Sequence, residues 1–443
     1  MRTSARLAGL LLAALAVDAA PVTFYRDVLP ILQENCQSCH RPGEAAPMPL
    51  LTYENTRPWA KAIKRAVLAR QMPPWNADLR YGHFRNERKL SAEAIEILAA
   101  WVDGGALEGD LKDAPPPVSW RNDWEIEPDK VIALPELPVP ARGTVELTDV
   151  VVPTDFARDA WISSIEIRPG NRAVVHHVIV SVLPHHADAD YGVPHTEQKK
   201  RDAEGAATER IPPSDRLRGL VGVEAVYVPG AEPMNYGMYG AAMLLPGGSD
   251  LLVQIHYTPK GTATTDQTKI GFTFGKQEPA QKFVTVGPTA LRDAAHFHIP
   301  AGDPNWETHT ELVFTADARL VWFLPHMHLR GKDMTYRLRY PNGESETLLS
   351  VKWDFNWQMA YEAAKSISVP KGSRLEVTAH FDNSINNRFN PDPKVDVWWG
   401  DQTWEEMMVP WFGVLVDRAH DPKKVVRYAP EFAAAGKGRA NVE

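Results

Sequence analysis

Cysteine is nearly absent: 443 residues hold two, Cys36 and Cys39. Two thiols three positions apart exclude a fold stapled by several disulfides, so packing must hold its domains together. Positive charge is not in excess either. The 48 Lys and Arg are outnumbered by 56 Asp and Glu, giving a net charge of −8. That balance excludes an electrostatic grip on nucleic acid. No run is apolar for the ~20 residues that crossing a bilayer requires, so no integral membrane segment is expected. Internal repeats and low-complexity tracts are also missing, apart from an Ala/Gly-rich tail after Phe432.

What is present is globular: 44% hydrophobic and 23% charged residues, with 37 prolines and 29 glycines. The length suggests about three domains. So many turn-forming residues favour β-rich architecture over a helical bundle. The N-terminus carries Arg2 and Arg6, then an apolar stretch from Leu7 to Val17, then the small-residue site Val17-Asp18-Ala19. This predicts a signal peptide over 1–19 and a soluble exported protein, periplasmic or secreted.

Residues 20–112 read as a small all-α domain. Phe24, Val28, Leu29 and Leu32 mark one apolar face. A second helix is predicted from Pro58, with Trp59, Ile63 and Val67 inward, ending near Met72 because Pro73-Pro74 cannot continue it. A third starts at the cap Ser91, buries Ile95, Leu98, Trp101 and Val102, and stops at Gly104-Gly105. Pro115-Pro116-Pro117 then opens a stiff linker placed at 113–134. Beyond it the period becomes two. Strands are predicted at Val174–Leu183, Leu251–Tyr257, Leu320–Leu324 and Leu375–Phe381. They imply two antiparallel sandwiches, over 135–285 and 286–432, with a tail at 433–443. The polar stretch from His185 to Gly219 shows little periodicity.

Cys36-Gln37-Ser38-Cys39-His40 is C-x-x-C-H, the attachment pattern of c-type haem. The thiols reach the two vinyl groups of one porphyrin, and His40 lies under the iron. A zinc site would need more Cys or His nearby, and this domain offers only His83. Met72 is favoured as second axial ligand, since the helix must end there; Met48 is its rival. A Met/His pair would suit electron transfer. One covalent haem c is expected, bound through Cys36, Cys39, His40 and Met72.

Further along stand His176-His177, His256, His326-Met327-His328 and Met407. On a strand, His326 and His328 share a face. Adjacent His176 and His177 share a metal only at a strand end or a bulge. Histidine with thioether suits copper, and methionine favours the reduced ion. His185, His186, His195, His296 and His298 could compose another site, and Met234, Met238 and Met243 could bind copper(I). Spacing alone does not choose among these.

The order of four motifs does narrow the choice. Val175-His176-His177-Val178, Gln254-Ile255-His256-Tyr257, Pro325-His326-Met327-His328-Leu329-Arg330-Gly331-Lys332 and Glu405-Glu406-Met407 together resemble the copper type II, ascorbate-dependent monooxygenases. That family includes peptidylglycine hydroxylase and dopamine β-hydroxylase. The likeness covers about residues 135–430, and the N-terminal part looks like a haem-c module fused to it. It implies two jelly-roll-like sandwiches with one copper on each, across a solvent-filled gap. His176, His177 and His256 then resemble the ligands of the electron-storing copper. His326, His328 and Met407 resemble those of the catalytic, oxygen-binding copper. The partners implied are O2, a small organic substrate, and ascorbate or a redox protein as electron donor. The chain departs from peptide-amidating members at Leu324-Pro325 and Met408-Val409-Pro410-Trp411, where an apolar pocket replaces carboxylate-binding groups. The expected function is C–H hydroxylation; the alternative is a non-enzymatic electron-transfer or copper-handling protein.

Overall fold

The computed structural model describes residues 20–120, 123–185, 187, 189–196, 200–201, 207–209, 224–288, 297–400 and 402–433. The leader at 1–19, His186, His296, much of the 185–219 stretch and the tail beyond 433 lie outside the described residues.

The chain begins with helices. A helical turn at Phe24–Val28 runs into α1 (Leu29–Asn35); α2 spans Ala60–Leu68 and α3 spans Ala92–Asp103. Phe24, Val28, Leu32, Ile63, Val67, Leu98 and Trp101 meet in one small core of their own. Ser91 caps α3 by accepting the Ala94 N–H at 3.0 Å, and Gly105 at φ +90° ends it, a conformation L-residues avoid. Two details differ from expectation. α2 stops at Leu68, four residues before Met72, and Trp59 is 43% exposed. Arg57-Pro58-Trp59 form a tighter 3-10 turn, which rotates Trp59 off the buried stripe.

An arm over residues 74–86 leaves this helical unit and lies along the second half of the chain. Asp78 N–H donates to Ser350 O (2.8 Å), Lys352 N–H to Asn76 O (3.0 Å) and Arg85 N–H to Glu362 O (2.7 Å). Trp75 and Phe84 pack edge-on against Tyr361, with ring centroids 5.1 and 5.5 Å apart. Phe84 and Ala77 thus belong to the sandwich core and not to the helical one.

The rest is β-sandwich. In the first half, a five-stranded sheet runs Pro194–Thr196, Thr148–Pro153, β2 (Asp250–Tyr257), β1 (Val175–Leu183), Ala225–Tyr227. In the second, another runs Ser345–Lys352, Gly331–Arg339, Arg374–Phe381, Trp306–Phe314, Val426–Tyr428. One large sheet backs both. It includes Lys130–Ala133, Lys269–Phe274 and Ala160–Arg168 at one end, and β3 (Ala318–His326), β4 (Val409–Asp417) and Tyr361–Val369 at the other. Gln281–Val286, just before the expected boundary, pairs with β4 from Gln281↔Asp417 to Val286↔Phe412, so the ladder crosses that boundary without a break. The first sandwich also starts earlier than expected. Lys130–Ala133, placed in the linker by the proline signal, is an edge strand against Lys269–Phe274. The four predicted strands are present: the first begins one residue later, the second and fourth one residue earlier, and the third extends two residues at each end. Among the described residues no helix is long and apolar enough to cross a membrane.

Candidate metal centre and haem cavity

His176, His177 and His256 come together because the β1–β2 ladder is irregular there. His256 pairs with His177, and the next pair is Tyr257 with Val175, so His176 is the extra residue of a bulge. The bulge turns both adjacent histidines the same way. One nitrogen from each of the three rings lies within 4.8 Å of the others. The His176 and His177 Nδ1 atoms are 3.0 Å apart. Phe355 stacks on His176 at 4.9 Å.

Burial lowers the His176 pKa to about 3, with help from neighbouring His256 and His326, and lowers His256 to about 4. His177 is depressed by the same burial and by its histidine neighbours. The three imidazoles therefore stay neutral at ordinary pH, the form that offers a lone pair. His176 Nε2 is buried with no hydrogen-bond partner. A buried, partnerless nitrogen is costly unless something coordinates it, so the triad fits a metal ion on its own terms.

His326 ends β3, opposite Val409 on β4. The ladder ends at that pair, and His328 and Met407 lie just beyond it on the two chains. The His326 and His328 rings are 5.4 Å apart and perpendicular. His326 Nδ1 donates to Gln358 Oε1 at 2.7 Å, and His328 Nδ1 to the Glu405 carbonyl at 3.2 Å. Each bond selects the tautomer whose lone pair sits on Nε2, as metal-binding histidines require. Glu406, fully buried, accepts the His328 N–H at 2.9 Å and the Arg330 N–H, pinning the turn between them. Burial pushes its carboxyl up to about 8. Trp411 and Trp353 flank His326 with ring centroids at 5.3 and 6.3 Å.

The two sets touch. The His177 and His326 rings are 6.1 Å apart, so the solvent-filled gap implied by the family likeness is not what lies between these two side chains. Two loops reach these histidines. One carries Phe355 and Gln358; the other carries Thr403, whose hydroxyl is 3.4 Å from His256 Nε2. Among the described residues the alternatives do not assemble in the same way. His298 pairs with Asp396 and stacks on Trp398, and His185 pairs with Asp250. His195 lies on the edge strand, opposite Asp149 in the ladder. Met243 is core, Met238 is 44% exposed and Met234 lines a separate cavity.

That cavity, about 820 Å³, is lined by Cys36, Cys39, His40 and Met72 of the helical unit. Ile165 to Arg168 and Ala225 to Tyr227 of the first sandwich close another side, and Trp357 of the second completes the wall. Glu44 joins the parts, bonded to Arg41 at 2.7 Å and to Arg172 of the first sandwich at 2.6 Å. The volume lies in the range of cofactor pockets. His40 Nδ1 donates to the Met48 carbonyl at 3.1 Å, which puts the ring's lone pair on Nε2. Met48 itself packs on the helical core, whereas Met72 lines the cavity. Burial pushes the Cys36 thiol up to about 12, the opposite of a reactive redox cysteine. Thioether attachment needs no such activation within the folded chain. His83 sits on the arm, its carbonyl bonded to Ala364 N–H, and does not line the cavity.

Sequence reading missed Gln358, Phe355 and Thr403, since nothing in their local pattern marks them. Glu406 stood inside a motif, and its lack of an exposed role could have suggested a buried one.

No family model and no curated protein matches the chain. Solved structures that align with it include infectious bursal disease virus of the Gx strain, at 9% identity over 71% of this chain and 80% of that one, TM-score 0.16. The Gt strain aligns at 10% identity over 71% and 85%, TM-score 0.14. The VP2 subviral particle of that virus aligns at 10% over 70% and 77%, TM-score 0.13. Overlays this poor carry no weight for fold or function.

Proposed function

We propose that the chain is an exported, copper-dependent monooxygenase with one covalent haem c and two copper ions, hydroxylating a C–H bond of a small organic substrate with dioxygen. On this reading residues 20–112 are a cytochrome c-like domain, and the sandwiches are the jelly-roll-like pair of the copper type II family. The observation that supports it most is the bulge at His176. It makes a three-histidine site from residues that a regular strand would separate, beside His326 and His328.

Copper in the two histidine sets would supply two electrons per turnover and the activation of dioxygen. The chain's own groups do the remaining work. Gln358 and the Glu405 carbonyl orient His326 and His328, and Glu406 holds the turn that spaces them. Met407, just beyond the same ladder, would add a soft thioether that favours the reduced ion. Trp411 and Trp353 present apolar surface beside His326, suited to an uncharged substrate. Cys36 and Cys39 would carry the haem, with His40 and Met72 as a ligand pair suited to one-electron transfer. Ascorbate or a redox protein would serve as donor.

The test is oxygen uptake by reduced, copper-loaded protein matured outside the cytoplasm, with product mass spectrometry over a substrate panel. Substrate-dependent uptake and a product gaining one oxygen atom are expected. Uptake no faster than autoxidation across the panel would leave electron transfer or copper handling as the function.

A further inference from the structure

One loop, residues 354–359, between Ser345–Lys352 and Tyr361–Val369, reaches both the cavity and the histidine cluster. Trp357 lines the cavity. The next residue, Gln358, is 4% exposed and accepts the His326 Nδ1 proton at 2.7 Å. Cavity wall and histidine are therefore joined by one residue-to-residue step along the backbone and one short hydrogen bond. Phe355 of the same loop meets His176 too, by ring stacking at 4.9 Å, but it does not line the cavity.

We propose that Trp357 and Gln358 are the electron route from a haem in this cavity to copper at His326 and His328. The proposal rests on the haem–copper reading above and adds the direction and first destination of the electron. The step is a plain one-electron exchange. Ferrous haem becomes ferric, cupric copper becomes cuprous, and no atom or proton moves. An external one-electron donor of the ascorbate or redox-protein class then re-reduces the haem. Electronic coupling falls off less steeply along covalent bonds and short hydrogen bonds than across van der Waals gaps. The Trp357–Gln358–His326 path is bonded throughout beyond the cavity wall. Its rival is Tyr227, which also lines the cavity and stands opposite Val178, the neighbour of His177, in the sheet. On the proposed route the His326/His328 copper is reduced first, and the triad copper second, across the 6.1 Å between His326 and His177; the Tyr227 route would reverse that order. Trp357 and Gln358 are positioning residues here: they touch the cavity and a ligand, not the substrate.

The experiment mixes protein holding ferrous haem with cupric ion under anaerobic conditions, then follows haem oxidation by absorbance and copper reduction by rapid-freeze EPR. Copper signals are assigned with His176→Ala and His326→Ala, each expected to keep one ion. In wild type the His326/His328 signal should disappear first. Compared at equal haem and copper loading, Trp357→Leu and Gln358→Leu should each slow haem oxidation about tenfold. Trp357→Phe and Gln358→Glu, which restore the ring and the acceptor, should recover most of the rate. If the triad signal disappears first, or both leucine variants keep the wild-type rate, the route is wrong while the haem–copper reading stands. A wild-type protein without haem, or without copper, overturns both.

Discussion

His256 stands directly opposite His177 across two antiparallel strands, and the register slips immediately beyond them, at His176. One irregularity in the ladder therefore decides whether two adjacent histidines diverge or converge. Each of the two histidine sets should hold its own ion. Metal analysis is expected to give about two copper ions per chain, since each set supplies three ligands. His176→Ala and His326→Ala should each lose one. Loss of both ions from a single substitution would indicate a shared centre, which the contact of His177 with His326 makes the alternative to exclude.

The cavity makes a separate prediction. Haem-stained denaturing gels should show one covalent haem in protein matured outside the cytoplasm, and Cys39→Ala should weaken its attachment. Met72→Ala should lose the sulfur-to-iron charge-transfer absorption. Met48→Ala should keep it, because Met48 contributes its carbonyl to His40 and its side chain to the helical core.

How far the sequence could be read follows from the range of each signal. The helices, the four strands and the condition that His176 and His177 share a metal only at a strand end or a bulge came from local pattern. The arm at 74–86 did not, because its backbone partners lie near 350 and 362, and no periodicity encodes so distant a pairing. Gln358 and Phe355 were hidden for the same reason. Trp59 was misplaced because the 3-10 turn at Pro58 changes the angular spacing on which the helical stripe depends.

The arm should be an energetic clamp. Phe84 is 8% exposed and packed against Trp75 and Tyr361. Phe84→Ala is expected to cost about 3 kcal/mol in denaturant unfolding, in the range for aromatic truncation in a core. The same variant should expose the 74–86 segment to limited proteolysis. Unchanged stability together with unchanged cleavage would show that the arm is held elsewhere.

Glu224 should set a pH trend. Burial pushes its carboxyl up to about 7 from an ordinary 4.5. The unfolded chain ionises first, so between those values the unfolded state holds fewer protons than the folded one. Its contribution to stability therefore falls as pH rises from about 4.5 and levels off above about 7. Thermal melts across this range should show the decline in wild type and a flatter curve in Glu224→Gln. An equal slope in both would assign the trend to other groups.

Met407 and Met408 are both buried, at 8% and 1% exposure, so burial does not separate them. The expected register would. Val409 pairs with His326 as the last pair of the ladder; alternation carried two residues further would bring Met407 opposite His328 and turn Met408 away. The thioether should matter only at copper held by His326 and His328. Met407→Ala should fold, keep haem and the triad copper, and lose hydroxylation. Met408→Ala should stay active with a packing defect of about 2–5 kcal/mol. X-ray absorption on the reduced protein gives the direct reading, through a copper–sulfur scatterer present in wild type and missing in Met407→Ala. If the scatterer persists there and vanishes in Met408→Ala, the chain between Glu406 and Val409 is turned by one residue from the register inferred, and the soft ligand comes from the opposite face.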